Sequence, residues 1–206
     1  VKILIACEYS GIVRDAFINK GHEAMSCDLL PSESDRGPHN QGNVIDILND
    51  GWDLMVGHPP CDYISYAATH VWNDPGRVFK RLKALEFFAK LWEAPIDKIC
   101  LENPRSCASP VIAKYNQEIQ PYYWGDKSVK TTWLWLKNLP KLQWKRQNDL
   151  FGPQTSSGIP EAQYFKSGRK KDCTDILGEG GYSKDRAKRR AKFWPGIADA
   201  MAEQWG

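Results

Sequence analysis

Cys61 closes the run Gly57-His58-Pro59-Pro60-Cys61, and Glu102 opens the run Glu102-Asn103-Pro104. Together these residue types make one chemistry possible. A cysteine attacks as its thiolate, and it does so best when the sulfur is exposed and held in place. Two prolines stop both helix and sheet, so Cys61 sits in a stiffened loop at a strand's end. A carboxyl group following an apolar strand is partly desolvated, which favours its protonated form. Such a group can donate a proton to a ring nitrogen. Asn103 can orient that acid or cap the next segment. Each residue also has a plainer reading: Cys61 as a buried small hydrophobe, Glu102 as an exposed strand-end charge.

Positioning these residues requires a sheet. Residues 2–7 read as a short buried strand, and Ile12, Val13, Ala16 and Phe17 follow Gly11 at helical spacing. That helix is expected to stop near Gly21. Further strands are expected at 23–28, 53–56, 98–101 and 133–136, with a short strand or turn at 44–47. Val78, Leu82, Leu85, Ala89 and Trp92 predict an amphipathic helix over 77–93. Strands alternating with helices imply an α/β fold, a Rossmann-like, mostly parallel sheet with helices on both faces. In such sheets ligands bind beyond the C-terminal strand ends. Four of those ends carry unusual residues: 7–11, Asp28, 59–61 and 102–104. Asp28, at the end of the second strand, is placed to accept both hydroxyl protons of a ribose, or to cap a loop.

The 206 residues are 42% hydrophobic and 26% charged, which fits one folded domain and excludes global disorder. No apolar run approaches the roughly 20 residues of a membrane span, and residues 2–7 are too short for a secretory h-region. A soluble, cytoplasmic protein is expected. Six cysteines form no Cys-x-x-Cys pair, and the four histidines have no ligand spacing, so no metal site is expected. The net charge is only +3, yet residues 166–192 hold ten Lys or Arg against four acids. That local excess suits a polyanion, or it is a solvated face. Arg186, Lys188, Arg189 and Arg190 are the candidates for phosphate contacts. Residues 139–182, rich in Pro, Gly and Ser, predict an irregular insertion within the single domain 1–206.

Pro59-Pro60-Cys61 with Ile64-Ser65, followed by Glu102-Asn103-Pro104, resembles the motif pair of the DNA cytosine-C5 methyltransferases. The family pattern is Gly-Pro-Pro-Cys, a short gap and Phe-Ser, then Glu-Asn-Val; here His58 and Pro104 depart from it. The resemblance covers about residues 2–136, with an echo of the last helical motif at 195–203. It is nearest to short methyltransferase-like proteins of bacteriophages and prophages. It implies that Cys61 attacks C6 of cytosine and that Glu102 protonates or hydrogen-bonds N3, with Asn103 in support. C5 then takes a methyl group from S-adenosylmethionine. The cofactor would lie against Tyr9, Ser10, Gly11, Asp28, Leu29, Asp46 and Pro59, with Asp53 as a second candidate near the adenine. The substrate would be duplex or single-stranded DNA, its base unpaired or flipped out, contacted by Ser65, Lys127 and Lys130.

Two departures qualify what the resemblance implies. The family's Phe-x-Gly-x-Gly-Gly is here Ala6-Cys7-Glu8-Tyr9-Ser10-Gly11, with one glycine kept. Glu8 is then expected near the cationic sulfonium. Residues 139–182 replace a large target-recognition domain, so a protein partner for targeting is one expectation. A catalytically inactive nucleic-acid binder or decoy is the first alternative. Modification of free cytosine nucleotides is the second, although a basic segment favours a polymer.

Overall fold

The computed structural model describes residues 1–144 and 192–206. A seven-stranded sheet organises them, in the order β3-β2-β1-β4-β5-β7-β6. The strands are β1 (Lys2–Ala6), β2 (Glu23–Asp28), β3 (His39–Gln41), β4 (Leu54–Gly57), β5 (Lys98–Pro104), β6 (Gln117–Ile119) and β7 (Thr132–Lys137). The helices are α1 (Ile12–Asn19), α2 (Arg77–Trp92), the single turn α3 (Ala108–Val111) and α4 (Pro195–Trp205). β3, β2, β1, β4 and β5 run parallel, while β7 lies antiparallel between β5 and β6. This is the expected Rossmann-like α/β sheet.

Alternation along each strand divides the core into two layers. Ile3 and Ile5 of β1 face one side, with Leu54 and Val56 of β4, and meet Val13 and Phe17 of α1 and Ile197, Met201 and Trp205 of α4. Leu4 and Ala6 face the other side, with Met55, Ile99, Leu101 and Trp135, against Phe88 and Leu91 of α2. Each fully buried Leu, Ile or Phe stabilises the fold by about 1.5–3 kcal/mol. The Trp135 indole donates Nε1–H to the Ala113 carbonyl at 2.6 Å, which allows a tryptophan at the centre of the core.

Of the two forms expected for 44–47 the structure takes the turn, a 3-10 turn capped by Asn43. The third strand is instead His39–Gln41, too short and polar to show any apolar alternation. In α2 the apolar stripe does not all face inward. Val78, Phe79 and Leu82 are exposed, and burial begins with the second half of the helix. The first half lies beside the 61–72 segment, held by polar groups: Arg77 donates to the Asp62 carbonyl, and Arg81 to the Tyr63 and Trp72 carbonyls. Periodicity gives a helix's face, not where along its length the sheet begins.

Candidate active site

All four unusual strand ends lie at the C-terminal edge of the parallel strands, but they are used differently. At β1 the chain turns through Cys7, which takes a positive φ of 60°. Glu8 is buried, and its carboxylate accepts the amide N–H of Val13 at 2.7 Å and of Arg14 at 3.2 Å, with the Ser10 hydroxyl at 3.1 Å. Glu8 therefore neutralises the positive start of α1. The sequence alone gave no sign of this capping role. Gly11 precedes the helix at φ 76°, where a Cβ would lie 2.6 Å from Arg14 Nη2.

Arg14 itself is fully buried. Its guanidinium donates to Asp15 at 2.8 Å, to the Ser26 and Ser32 hydroxyls at 3.1 and 3.2 Å, and to the Ser34 carbonyl at 3.1 Å. Ser26 in turn meets His39 Nδ1 at 2.9 Å, and His39 Nε2 meets the Leu30 carbonyl at 2.9 Å. This network fixes the 29–38 loop beside Asp28. Asp28 is half-buried, and its Oδ1 accepts Leu30 N–H at 2.9 Å, the capping role weighed above. Tyr9 is buried, Ser10 half-buried, and Leu29 and Asp46 are exposed.

The β4 and β5 ends form a second cluster. Asn103 is buried, and its Nδ2–H donates to the Pro59 carbonyl at 2.7 Å, which ties the proline loop to β5. Beyond Cys61 the two loops stay zipped. Tyr66 N–H donates to the Arg105 carbonyl, Cys107 N–H to the Ile64 carbonyl, and Ser65 bridges Ser106. Cys61 is half-buried, and its carbonyl accepts the Ile64 and Ser65 amides, which turns the chain immediately after it. Ser65 is buried and caps the 66–71 turn by accepting Ala67 N–H.

Glu102 is buried, and its Oε2 lies 3.2 Å from His58 Nδ1. Burial alone would raise its pKa, but the His58 hydrogen bond and the charges of Lys130 and His58 outweigh that and hold the carboxyl below its ordinary value. The sequence led us to expect a protonated acid; in the fold it rests ionised, because basic neighbours converge on it. Phe193 packs on the His58 ring, 4.7 Å between centroids. Lys130 Nζ sits 4.6 Å from the Trp194 ring centroid. Three buried atoms here have no partner: His58 Nε2, Glu102 Oε1 and Asn103 Oδ1.

The cysteines also separate. Burial pushes the Cys7, Cys27, Cys100 and Cys107 thiols up. The charge of Asp28 adds to that at Cys7 and Cys27. Among the candidate aromatics, Trp135 is core, Trp133 stacks on Tyr115 at 4.0 Å, and Tyr123 stacks on Trp144 at 4.3 Å. Lys127 is exposed. Arg186, Lys188, Arg189, Arg190 and most of the 139–182 insertion lie outside the described residues. Among the described residues no group of three His, Cys, Asp or Glu is arranged to hold a metal, and no helix is long and apolar enough to cross a membrane.

His58, Phe193 and Trp194 are the members of the site that sequence reasoning missed. The histidine in place of the family's glycine was the available signal for the first. The two aromatics come from the far end of the chain and gave none.

No family model matches the chain, and no curated protein matches it. Among solved structures it is similar to a prophage-encoded E. coli protein provisionally classed as a DNA modification methyltransferase. The identity is 14%, the TM-score 0.42, and the match covers 66% of this chain and 46% of that one. The chain thus spans under half the length of that protein.

Proposed function

We propose that this protein is an S-adenosylmethionine-dependent DNA cytosine-C5 methyltransferase with Cys61 as its nucleophile. One observation carries the reading. The loop that bears Cys61 is anchored through Pro59 to Asn103, the neighbour of Glu102, so a thiol and a buried carboxyl group are tied to one strand edge. The Cys61 thiolate attacks C6 of an unpaired or flipped-out cytosine, forming the S–C6 bond, and electron density moves toward N3. Glu102 rests ionised, so the proton it shares with N3 is taken up as the base binds. After C5 is methylated, a water takes the C5 proton, the C5–H electron pair re-forms the C5=C6 bond and expels Cys61 as its thiolate, and N3 returns its proton through Glu102.

S-adenosylmethionine, when bound, supplies the methyl group. The residues fit it on one count in particular. Glu8 already occupies the start of α1, where a phosphate would otherwise sit, and this cofactor carries no phosphate. Asp28 would hold the ribose through its second carboxylate oxygen, with Tyr9, Ser10, Gly11, Leu29, Asp46 and Pro59 around it. Lys127, Lys130, Ser65 and the basic residues Arg186, Lys188, Arg189 and Arg190 are the proposed nucleic-acid contacts, and a partner protein would supply targeting.

A second reading, a cofactor-free nucleic-acid binder of the same fold, draws on Glu8 as well: the chain itself satisfies the first amides of α1. Calorimetric titration with S-adenosylmethionine and S-adenosylhomocysteine separates the two. Saturable binding, weakened at least about tenfold in Asp28→Ala by loss of a charge-assisted hydrogen bond, is the expected result. A folded protein that binds neither ligand would leave only the second reading.

A further inference from the structure

His58 stands where the family motif has glycine, and glycine has no side chain to place. Its imidazole is set between two partners: Nδ1 lies 3.2 Å from Glu102 Oε2, and the Phe193 ring packs against it at 4.7 Å. The loop cannot drift from this position, because Asn103 holds the next residue's carbonyl at 2.7 Å. The Glu102 carboxyl group therefore has one oxygen tethered and one without a partner. Buried acceptors without partners are rare in native proteins, and they mark places where a ligand or water completes the bonding.

We propose that His58 is the positioning residue of this site: by donating Nδ1–H to Glu102 Oε2 it fixes the carboxyl group so that Oε1 alone is offered to the base. This rests on the cytosine reading above, which it deepens by assigning each carboxylate oxygen a task. His58 does not touch the base; it acts through Glu102. A tethered carboxylate presents one lone pair in one direction. An untethered one rotates and samples both oxygens, which misplaces the base relative to Cys61. A misplacement of about 1 Å in a reacting pair costs on the order of a hundredfold in rate.

The charged and titratable groups that face Glu102 come from three elements. His58 comes from the β4 loop, Lys130 from the segment before β7, and Cys100 from β5 itself. The His58 bond and the Lys130 charge favour the ionised carboxylate, whereas burial opposes it. Removing His58 leaves Lys130 alone against burial, so the Glu102 midpoint must rise.

The test follows the Glu102 carboxyl directly in the substrate-free protein, by carbon-13 NMR with isotope-labelled glutamate and Glu102→Gln as the assignment control. His58→Leu keeps bulk against Phe193 but has no donor. Its Glu102 midpoint is expected to rise by about one pH unit, the equivalent of one lost hydrogen bond. His58→Asn places an amide donor near the position of Nδ1 and is expected to return the midpoint toward the original. In methyl-transfer assays on cytosine-containing DNA, His58→Leu should lower kcat roughly tenfold to a hundredfold with a smaller change in KM. His58→Asn should recover most of that. A folded His58→Leu protein whose Glu102 midpoint stays in place would overturn the proposal. The titration needs no substrate, so it stands even if the protein transfers no methyl group; that second failure would strike the cytosine reading instead.

Discussion

Two clusters of buried polar groups sit on the same edge of the sheet, one at β1 and β2 and one at β4 and β5. In the first, no buried nitrogen or oxygen of Glu8, Arg14 or Ser26 lacks a partner. In the second, His58, Glu102 and Asn103 each keep one buried atom without a partner. An unmade bond of this kind costs about 1–3 kcal/mol. The chain thus closes its own bonding where a loop must be held still and leaves it open where the proposed base is to bind. The difference teaches which polar groups to read as scaffold. Both clusters bury a glutamate at a strand end, and the completeness of the hydrogen bonding separates the two.

The comparison can be broken most forcefully at Cys61. Cys61→Ser should reduce methyl transfer by about a thousandfold or more, while unfolding and cofactor titration stay close to the original. Turnover that survives the substitution would remove this cysteine from the mechanism and leave the second cluster without its reaction.

The next largest effect belongs to the first cluster. Arg14→Met removes a guanidinium that ties α1 to β2 and to the 29–38 loop. It leaves Asp15 and two hydroxyls short of a donor. A loss of about 3 kcal/mol is expected, which for a chain of this length lowers Tm by roughly 10 °C. Calorimetric scans check it, and a Tm within a degree or two of the original would show that the network is not scaffold.

The smallest effect sharpens the second cluster. Glu102 is held below its ordinary value in the folded protein by His58 and Lys130, against burial. Between the folded and unfolded values the unfolded chain binds more protons, so this group stabilises the fold above its unfolded value. That contribution is lost as pH falls through the folded value. Glu102→Gln has nothing to lose there. Its urea unfolding free energy, followed from about pH 6 down to pH 3, should fall less steeply than that of the unaltered protein. Parallel curves would mean that the carboxyl group titrates alike in both states.

Much of this was legible along the chain. Ile3 and Ile5 against Leu4 and Ala6, the apolar run into Gly57, and the residues ending each strand announced a parallel α/β sheet and its functional edge. What was not legible follows from the range of the signals. Periodicity reports a local face, so it placed α2 but not the sheet's limit beneath Val78 and Leu82. β3 has three polar residues and no pattern at all. β7 reads like its neighbours because side-chain alternation carries no strand direction, and its reversal depends on how β6 returns.

The sequence by itself determined the chemistry available at the edge: a thiol behind two prolines, a carboxyl group beside an asparagine, and acids at two other strand ends. Those are covalent facts, set by residue type and spacing. Tertiary structure decided how each carboxyl group is used. Glu8 and Glu102 are both buried glutamates at strand ends, and nothing in their near neighbours distinguishes them as acids. Glu8 folds onto amides five and six residues ahead and becomes a helix cap. Glu102 meets a histidine 44 positions away and a lysine from another element, and becomes a tethered carboxylate with one oxygen open. Charge state and bonding depend on distance in space, and only the folded sheet sets those distances.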